Sequence, residues 1–206
     1  MNAPAPSTIL PAIGALFEGG FFAGLIQLDD GTRYGLIVAP KAAGEHPDTH
    51  WNDTYTAIPG AQSYNDGFAN TEAMADAGSA LAVWMQKLRI GDYEDWYLPS
   101  QDELEIIYRN LKPTTRENYC YARSGINLSA VPPTQPYLPS IPVQTSAEAF
   151  RDGGAEAFDD VWYWSSTQHA ADSDSAWCQT FYDGTQYYLT TPYDRLRARA
   201  VRRVAI

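Results

Sequence analysis

The sequence predicts an α+β domain in which strands from both ends of the chain meet in one antiparallel sheet, with two helices between them. Three observations predict it. A hairpin pattern stands near the N-terminus, helical spacing takes over between residues 70 and 112, and β-type segments run from residue 161 to the end. Strands and helices that segregate along the chain, instead of alternating, belong to the α+β class.

The hairpin is FFAGLIQL, Asp29-Asp30-Gly31, TRYGLIVAP. An Asp-Gly turn between two apolar β-type runs supplies the positive φ that a tight connection needs. Residues 40–69 are rich in Gly, Pro, Asn, Asp and His and read as surface loop, pinned to the body by Trp51. From Asn70 the spacing changes. Met74, Ala77, Leu81, Trp84, Met85 and Leu88 recur at three and four, giving one apolar stripe on a helix over 71–89 with Asn70 as N-cap and Gly91 past its end.

Next, Asp95 to Ser100 forms a short extended piece, because Pro99 forces Leu98 out of the helical region. Ser100-Gln101-Asp102-Glu103 is a capping box that opens a second helix, with Leu104, Ile107, Tyr108 and Leu111 on its buried face and Pro113 as its stop. Residues 112–160 read as a long, proline-rich insertion with one helical turn near Ser146 to Phe150. The last segments, Val161–Thr167, Ala176–Tyr182, Thr185–Leu189 and Leu196–Val204, with a turn at Asp183-Gly184, read as an antiparallel sheet.

All 206 residues fit one domain, and 45% hydrophobic residues with six Trp and fourteen Tyr supply its core. A net charge of −11 argues against a partner that is nucleic acid or anionic membrane. The apolar N-terminal stretch lacks a basic flank and is interrupted by Glu18 and glycines, so no signal peptide or membrane insertion is expected, and synthesis is expected in the cytoplasm. Cys120 and Cys178 are too few for a disulfide framework and read as two unpaired buried thiols.

The residues "DWYLPSQDELEIIY", followed by "YWSSTQ", "AWCQTFYDGTQ" and "RARAVRRV", resemble the Lcl C-terminal-domain family, found in collagen-like bacterial adhesins and phage tail proteins. The resemblance implies a C-type-lectin-like fold, shared with formylglycine-generating enzymes and with the variable proteins of diversity-generating retroelements. It also implies a non-catalytic recognition module without cofactor or metal, on a phage tail (virion) or a cell surface. Its partner would be a host receptor or glycan; other tail proteins, or copies of itself in a trimer, are further expected partners. An assembly role in a tail or baseplate is the alternative, and an oxidoreductase of the formylglycine type comes third.

Signature residues read as structural: Trp96 and Leu98 anchor the strand-to-helix corner, Trp164 fills the core, and Ser165-Ser166 bond backbone at a strand end. Arg195, Arg197 and Arg199 alternate with Leu196, Ala198 and Ala200, which places the arginines on a solvent face with ion pairs to clusters such as Asp159-Asp160 or Asp92-Glu94-Asp95. Trp51-Asn52-Asp53 spells a lectin calcium tripeptide in the wrong place, and His46 and His50 with Asp48 and Asp53 sit in a loop that is poor at holding a metal. Recognition is expected on His169, Asp172, Asp174, Tyr182, Gln186, Tyr187, Tyr188 and Tyr193, a Tyr-rich polar set in turns and alternating strand positions. Tyr187 and Tyr188 are neighbours on a strand, so at least one must face outward.

Overall fold

The computed structural model describes residues 10–122 and 124–206. Residues 1–9, which open the N-terminal apolar stretch, and residue 123 of the insertion lie outside it. Strands from both ends of the chain do share a sheet. β1 (Leu16–Phe17), β2 (Gly20–Gln27), β3 (Arg33–Val38) and β9 (Val201–Ala205) lie side by side in that order, all antiparallel. At the β2–β3 turn, Gly31 has φ +86° and the Asp30 carboxylate accepts the Thr32 N–H at 2.8 Å, as the Asp-Gly reading requires.

The remaining strands form a second sheet, where one had been expected. β4 (Glu45–Thr49), β8 (Leu196–Arg199), β5 (Trp162–Gln168), β6 (Ser175–Thr180) and β7 (Gln186–Thr190) run across it in that order. This sheet is mixed, because β5 and β8 pair in parallel at Tyr163 and Arg197. The C-terminal segment read as one strand is therefore two. It breaks at Ala200, whose N–H donates to Gly44 O and whose carbonyl accepts from Ala39 N, and the halves join different sheets.

The region 40–69 holds more than loop. α1 (Lys41–Gly44) and β4 lie in it, and the sequence Glu-His-Pro-Asp-Thr has little strand character of its own. Pairing with β8 imposes the extended form. The single helix expected over 71–89 is two, α2 (Gly67–Asp76) and α3 (Ala80–Gln86). Gly78, at φ +91°, ends the first, and the Ser79 hydroxyl caps the second. Their buried residues share one core, so the apolar spacing runs across the break. Asn70 is no cap; Asp66 accepts the Ala69 N–H instead, while buried Asn70 donates to Ser63 O at 2.7 Å and Ser166 Oγ at 3.2 Å.

α4 (Gln101–Leu111) has the expected capping box: Ser100 Oγ accepts Glu103 N–H at 3.3 Å and Glu103 Oε2 accepts Ser100 N–H at 2.7 Å. Leu104, Ile107, Tyr108 and Leu111 are buried, as read. Gly67 packs against this cap so closely that a Cβ would stand 2.6 Å from Ser100 N and 2.7 Å from Leu98 O. The first sheet separates two cores. Phe22 and Ile37 face Trp51, Met74, Met85, Trp96 and Trp164, while Ala23, Leu36 and Val38 face α4, Phe150, Tyr163 and Phe181.

The insertion is ordered by buried polar anchors. Asn127 donates to Asp102 O at 2.8 Å and Glu105 Oε2 at 2.9 Å, and its carbonyl oxygen accepts from Ser129 and Ala130. The Lys112 ammonium bonds Asn118 Oδ1 at 2.8 Å and the Arg116 carbonyl. The expected single turn is a 3-10 helix at Glu148–Phe150.

Arg199 corrects the solvent-face reading. It is buried, donating to Ala39 O at 2.9 Å and Glu156 Oε2 at 2.5 Å above the Phe158 ring. The solvent-face reading failed because Glu156, Phe150 and Phe158 of the 112–160 insertion lie over β8 at Arg199, whereas Arg197 on the same strand stays partly exposed. Two of the other ion pairs use the expected acidic clusters, Arg197 to Asp159 and Arg202 to Asp95, while Arg197 also pairs with Glu45 and Arg195 with Asp48, both on β4.

Candidate functional site

The β6–β7 hairpin decides which of the expected site residues meet. Its register is unbroken from Ser175↔Thr190 to Gln179↔Gln186, so Trp177 and Tyr188 are directly opposed on one side of the sheet. His169, just past β5, completes a cluster, its ring 4.3 Å from Tyr188 and 5.5 Å from Trp177. Tyr187 opposes Cys178 on the other side, yet its ring stacks on Tyr188 at 5.0 Å and 7° between planes. Tyr187 is 51% and Tyr188 37% exposed, so both tyrosines face outward.

Asp174 and Tyr193 lie at one end of this surface. Thr191 N–H donates to Asp174 O at 2.9 Å, which ties the β7–β8 loop to the β5–β6 turn, and the Tyr193 ring packs edge-on against Tyr55 at 5.9 Å. The neighbouring Tyr193 phenol, and after it the loss of hydration, pushes the Tyr55 phenol up to about 12. Asp172 is committed to its own turn, accepting from Asp174 N and Ser175 Oγ. Its carboxylate holds backbone in place.

Two expected residues stand elsewhere. Tyr182 is at the hairpin tip under the Arg116 guanidinium, 4.3 Å from its ring centre, with Nη1 donating to the phenol oxygen at 3.0 Å. Its outward face is thus partly taken by the 112–160 insertion. Gln186 exchanges bonds with Gln101 at the start of α4. Sequence reasoning missed Trp177 and Tyr55. Counting back from the Asp183-Gly184 turn pairs 177 with 188 and would have found Trp177; nothing local marks Tyr55, which arrives from a loop 138 positions before Tyr193.

Among the described residues, no group of three or more His, Cys, Asp or Glu is placed to hold a metal ion. His46, Asp48, His50 and Asp53 line one shallow depression with Arg195, which pairs with Asp48 at 2.8 Å. Trp51 is core, its indole N–H donating to Ser165 O at 2.8 Å. Both cysteines are free, but only Cys178 is buried, and burial holds its thiol well above the usual range. Cys120 is exposed, contrary to the sequence reading, because the insertion carries it outward between Tyr119 and Tyr121. A half-open cleft of about 470 Å³ lies between β2, α4 and residues 130–135, walled by Phe22, Leu25, Ile106 and Val131.

Fold and surface together define a two-sheet α+β domain whose second sheet ends in an exposed aromatic face. The chain belongs to the Lcl C-terminal domain family, whose model matches residues 42–202, and that family has no assigned function. No curated protein is significantly similar to it.

Proposed function

We propose that this domain is a non-catalytic recognition module, a lectin-like scaffold that presents the β5–β7 face to a host surface receptor or glycan. The observation that carries this reading is the cluster of His169, Trp177, Tyr187 and Tyr188, with Tyr193 and Tyr55 beside it. Tyr187, Tyr188, Tyr193 and Tyr55 are all exposed. Aromatic rings in a solvated, polar setting give broad contact at small entropic cost. Membership of the Lcl C-terminal domain family, which occurs in collagen-like adhesins and phage tail proteins, supports placement on a phage tail or a cell surface.

The test is a glycan array and whole-cell binding with His169→Ala, Tyr182→Ala, Tyr188→Ala and Tyr193→Ala, each also weighed for oligomeric mass. Binding should fall at least tenfold for His169→Ala and Tyr188→Ala with mass unchanged. Unaltered binding in all four, with a shifted mass, would replace this reading by assembly in a tail or baseplate. The specific observation that favours assembly is Tyr182, already packed on Arg116 of the insertion.

A further inference from the structure

The two outer strands of the second sheet differ in kind. β4 is protected by Pro47, by a register break between His46 and Thr49, and by the Asp48–Arg195 ion pair. In the first sheet, β1 has two residues, and β9 carries Arg202 and Arg203 and is bridged to Tyr97. These are the devices by which natural sheets keep their edges from pairing. β7, Gln-Tyr-Tyr-Leu-Thr, has none of them: no charge, no proline and no bulge.

Which backbone groups β7 leaves open follows from the ladder. Thr180 N–H donates to Thr185 O at 3.0 Å and Thr191 N–H to Asp174 O at 2.9 Å. With the unbroken register between them, residues 185, 187, 189 and 191 are the ones bonded to β6. Gln186, Tyr188 and Thr190 therefore turn their N–H groups away from the sheet, as do the carbonyls of Gln186 and Tyr188. The Thr190 carbonyl is already taken by Tyr193 and Asp194 N–H.

The surroundings select a partner by charge. Asp172 and Asp174 lie in the turn before β6, Asp183 in the hairpin turn and Asp194 just beyond β7, and none is in an ion pair among the described residues. On a chain of net charge −11, the end of the open edge that carries Asp172, Asp174 and Asp194 is thus negative, while at the hairpin end Asp183 shares its surroundings with Arg116. A second copy would bring the same carboxylates to the same edge. A cationic segment would not, and its Lys or Arg stems could lie on Tyr187, Tyr188 and Trp177.

We infer that β7 is a strand-addition site: an extended, Lys/Arg-containing segment of another protein pairs with Gln186, Tyr188 and Thr190 as a sixth strand of the sheet. This rests on the recognition reading and narrows its partner from receptor or glycan to polypeptide.

The probe is a pair of fluorescent heptapeptides of alternating Thr and Val, one with two Lys replacements and one with two Glu. Binding to the full chain is followed by polarisation, and amide exchange is read on the complex. Thr190→Pro deletes one outward N–H and no aromatic ring; Gln186→Pro does the same at the other end and serves if the first variant melts early. The Lys peptide should bind at least tenfold more tightly than the Glu peptide, lose at least tenfold with either proline variant, and slow exchange at Tyr188 and Thr190. Equal binding of the two peptides, or full binding by a well-folded Thr190→Pro, overturns the inference. So does a doubled mass that Thr190→Pro returns to monomer, since a second copy would then hold the edge. If the peptides fail while Tyr188→Ala still abolishes cell binding, the strand-addition site is lost and the recognition face stands.

Discussion

Trp164 shows what a single residue does here. Fully buried, with its indole N–H donating to Thr49 O at 2.9 Å, it ties β5 to the end of β4 across the second sheet. Trp164→Ala should cost about 3–5 kcal/mol through the cavity left behind, read as a lower denaturant midpoint; an unchanged midpoint would remove Trp164 from the core. Arg199 raises a different question, because it is a buried cation held by one carboxylate. Glu156→Ala strands that charge and should cost about 3 kcal/mol or more, whereas Arg195→Ala, which opens an exposed pair to Asp48, should cost under about 1 kcal/mol. Equal losses in urea titrations of the two variants would show that burial does not set the difference. The tryptophan was legible in the sequence, since a large aromatic in a strand seeks the interior. The arginine was not: alternation assigns a face, but whether that face is wet depends on what distant segment packs over it, here Phe150, Glu156 and Phe158.

At the scale of elements, α4 carries the pH response. Asp102 is held up at about 6 and Glu103 at about 7 by burial, although Ser129, Tyr97 and Ser100 donate hydrogen bonds that favour the charged forms. Both values lie above the ordinary carboxyl range, so their contribution to stability is complete below about pH 4 and is lost as pH rises through 6 and 7. The melting temperature should therefore fall between pH 5 and pH 8. Glu103→Gln, which keeps an acceptor for Ser100, should flatten that decline, and a wild-type profile level over this range would refute the assignment. Ser100→Ala should cost about 1 kcal/mol by loss of the cap, measured as a shift in thermal midpoint against the parent. The cap could be read directly, because Ser-x-x-Glu is a local code. The break between α2 and α3 could have been read from Gly78-Ser79, had the continuing apolar stripe not masked it. β4 could not be read, since its extended form comes from β8, some 150 positions away.

For the molecule as a whole, the α+β class and the joining of the two ends were legible, because hairpin turns and helix spacing are written in neighbouring residues. The division into two sheets was not, since it depends on where Ala200 lies relative to Gly44 and Ala39. The recognition face shows the same split: its tyrosines stand out in composition, but only the register brings His169, Trp177 and Tyr188 together. Dialysis against EDTA should leave the melting temperature and any binding unchanged; a drop of several degrees restored by Ca²⁺ or Zn²⁺ would contradict the metal-free reading.

The placement of β8 and β9 has a consequence in time. As the chain leaves the ribosome, β4 emerges early but has no neighbour until Leu196–Arg199 arrives to fill the slot between it and β5. β3 likewise waits for Val201–Ala205 to cover its open side. The nascent chain can form its hairpins and α4 in order, but neither sheet can close until residues 196–205 have emerged. Closure of both falls on the same ten-residue stretch, and long-range pairing of this kind is the slow part of folding. Until then the unfinished domain exposes two unpaired strands, which makes the wait for β8 and β9 the period when a chaperone matters most.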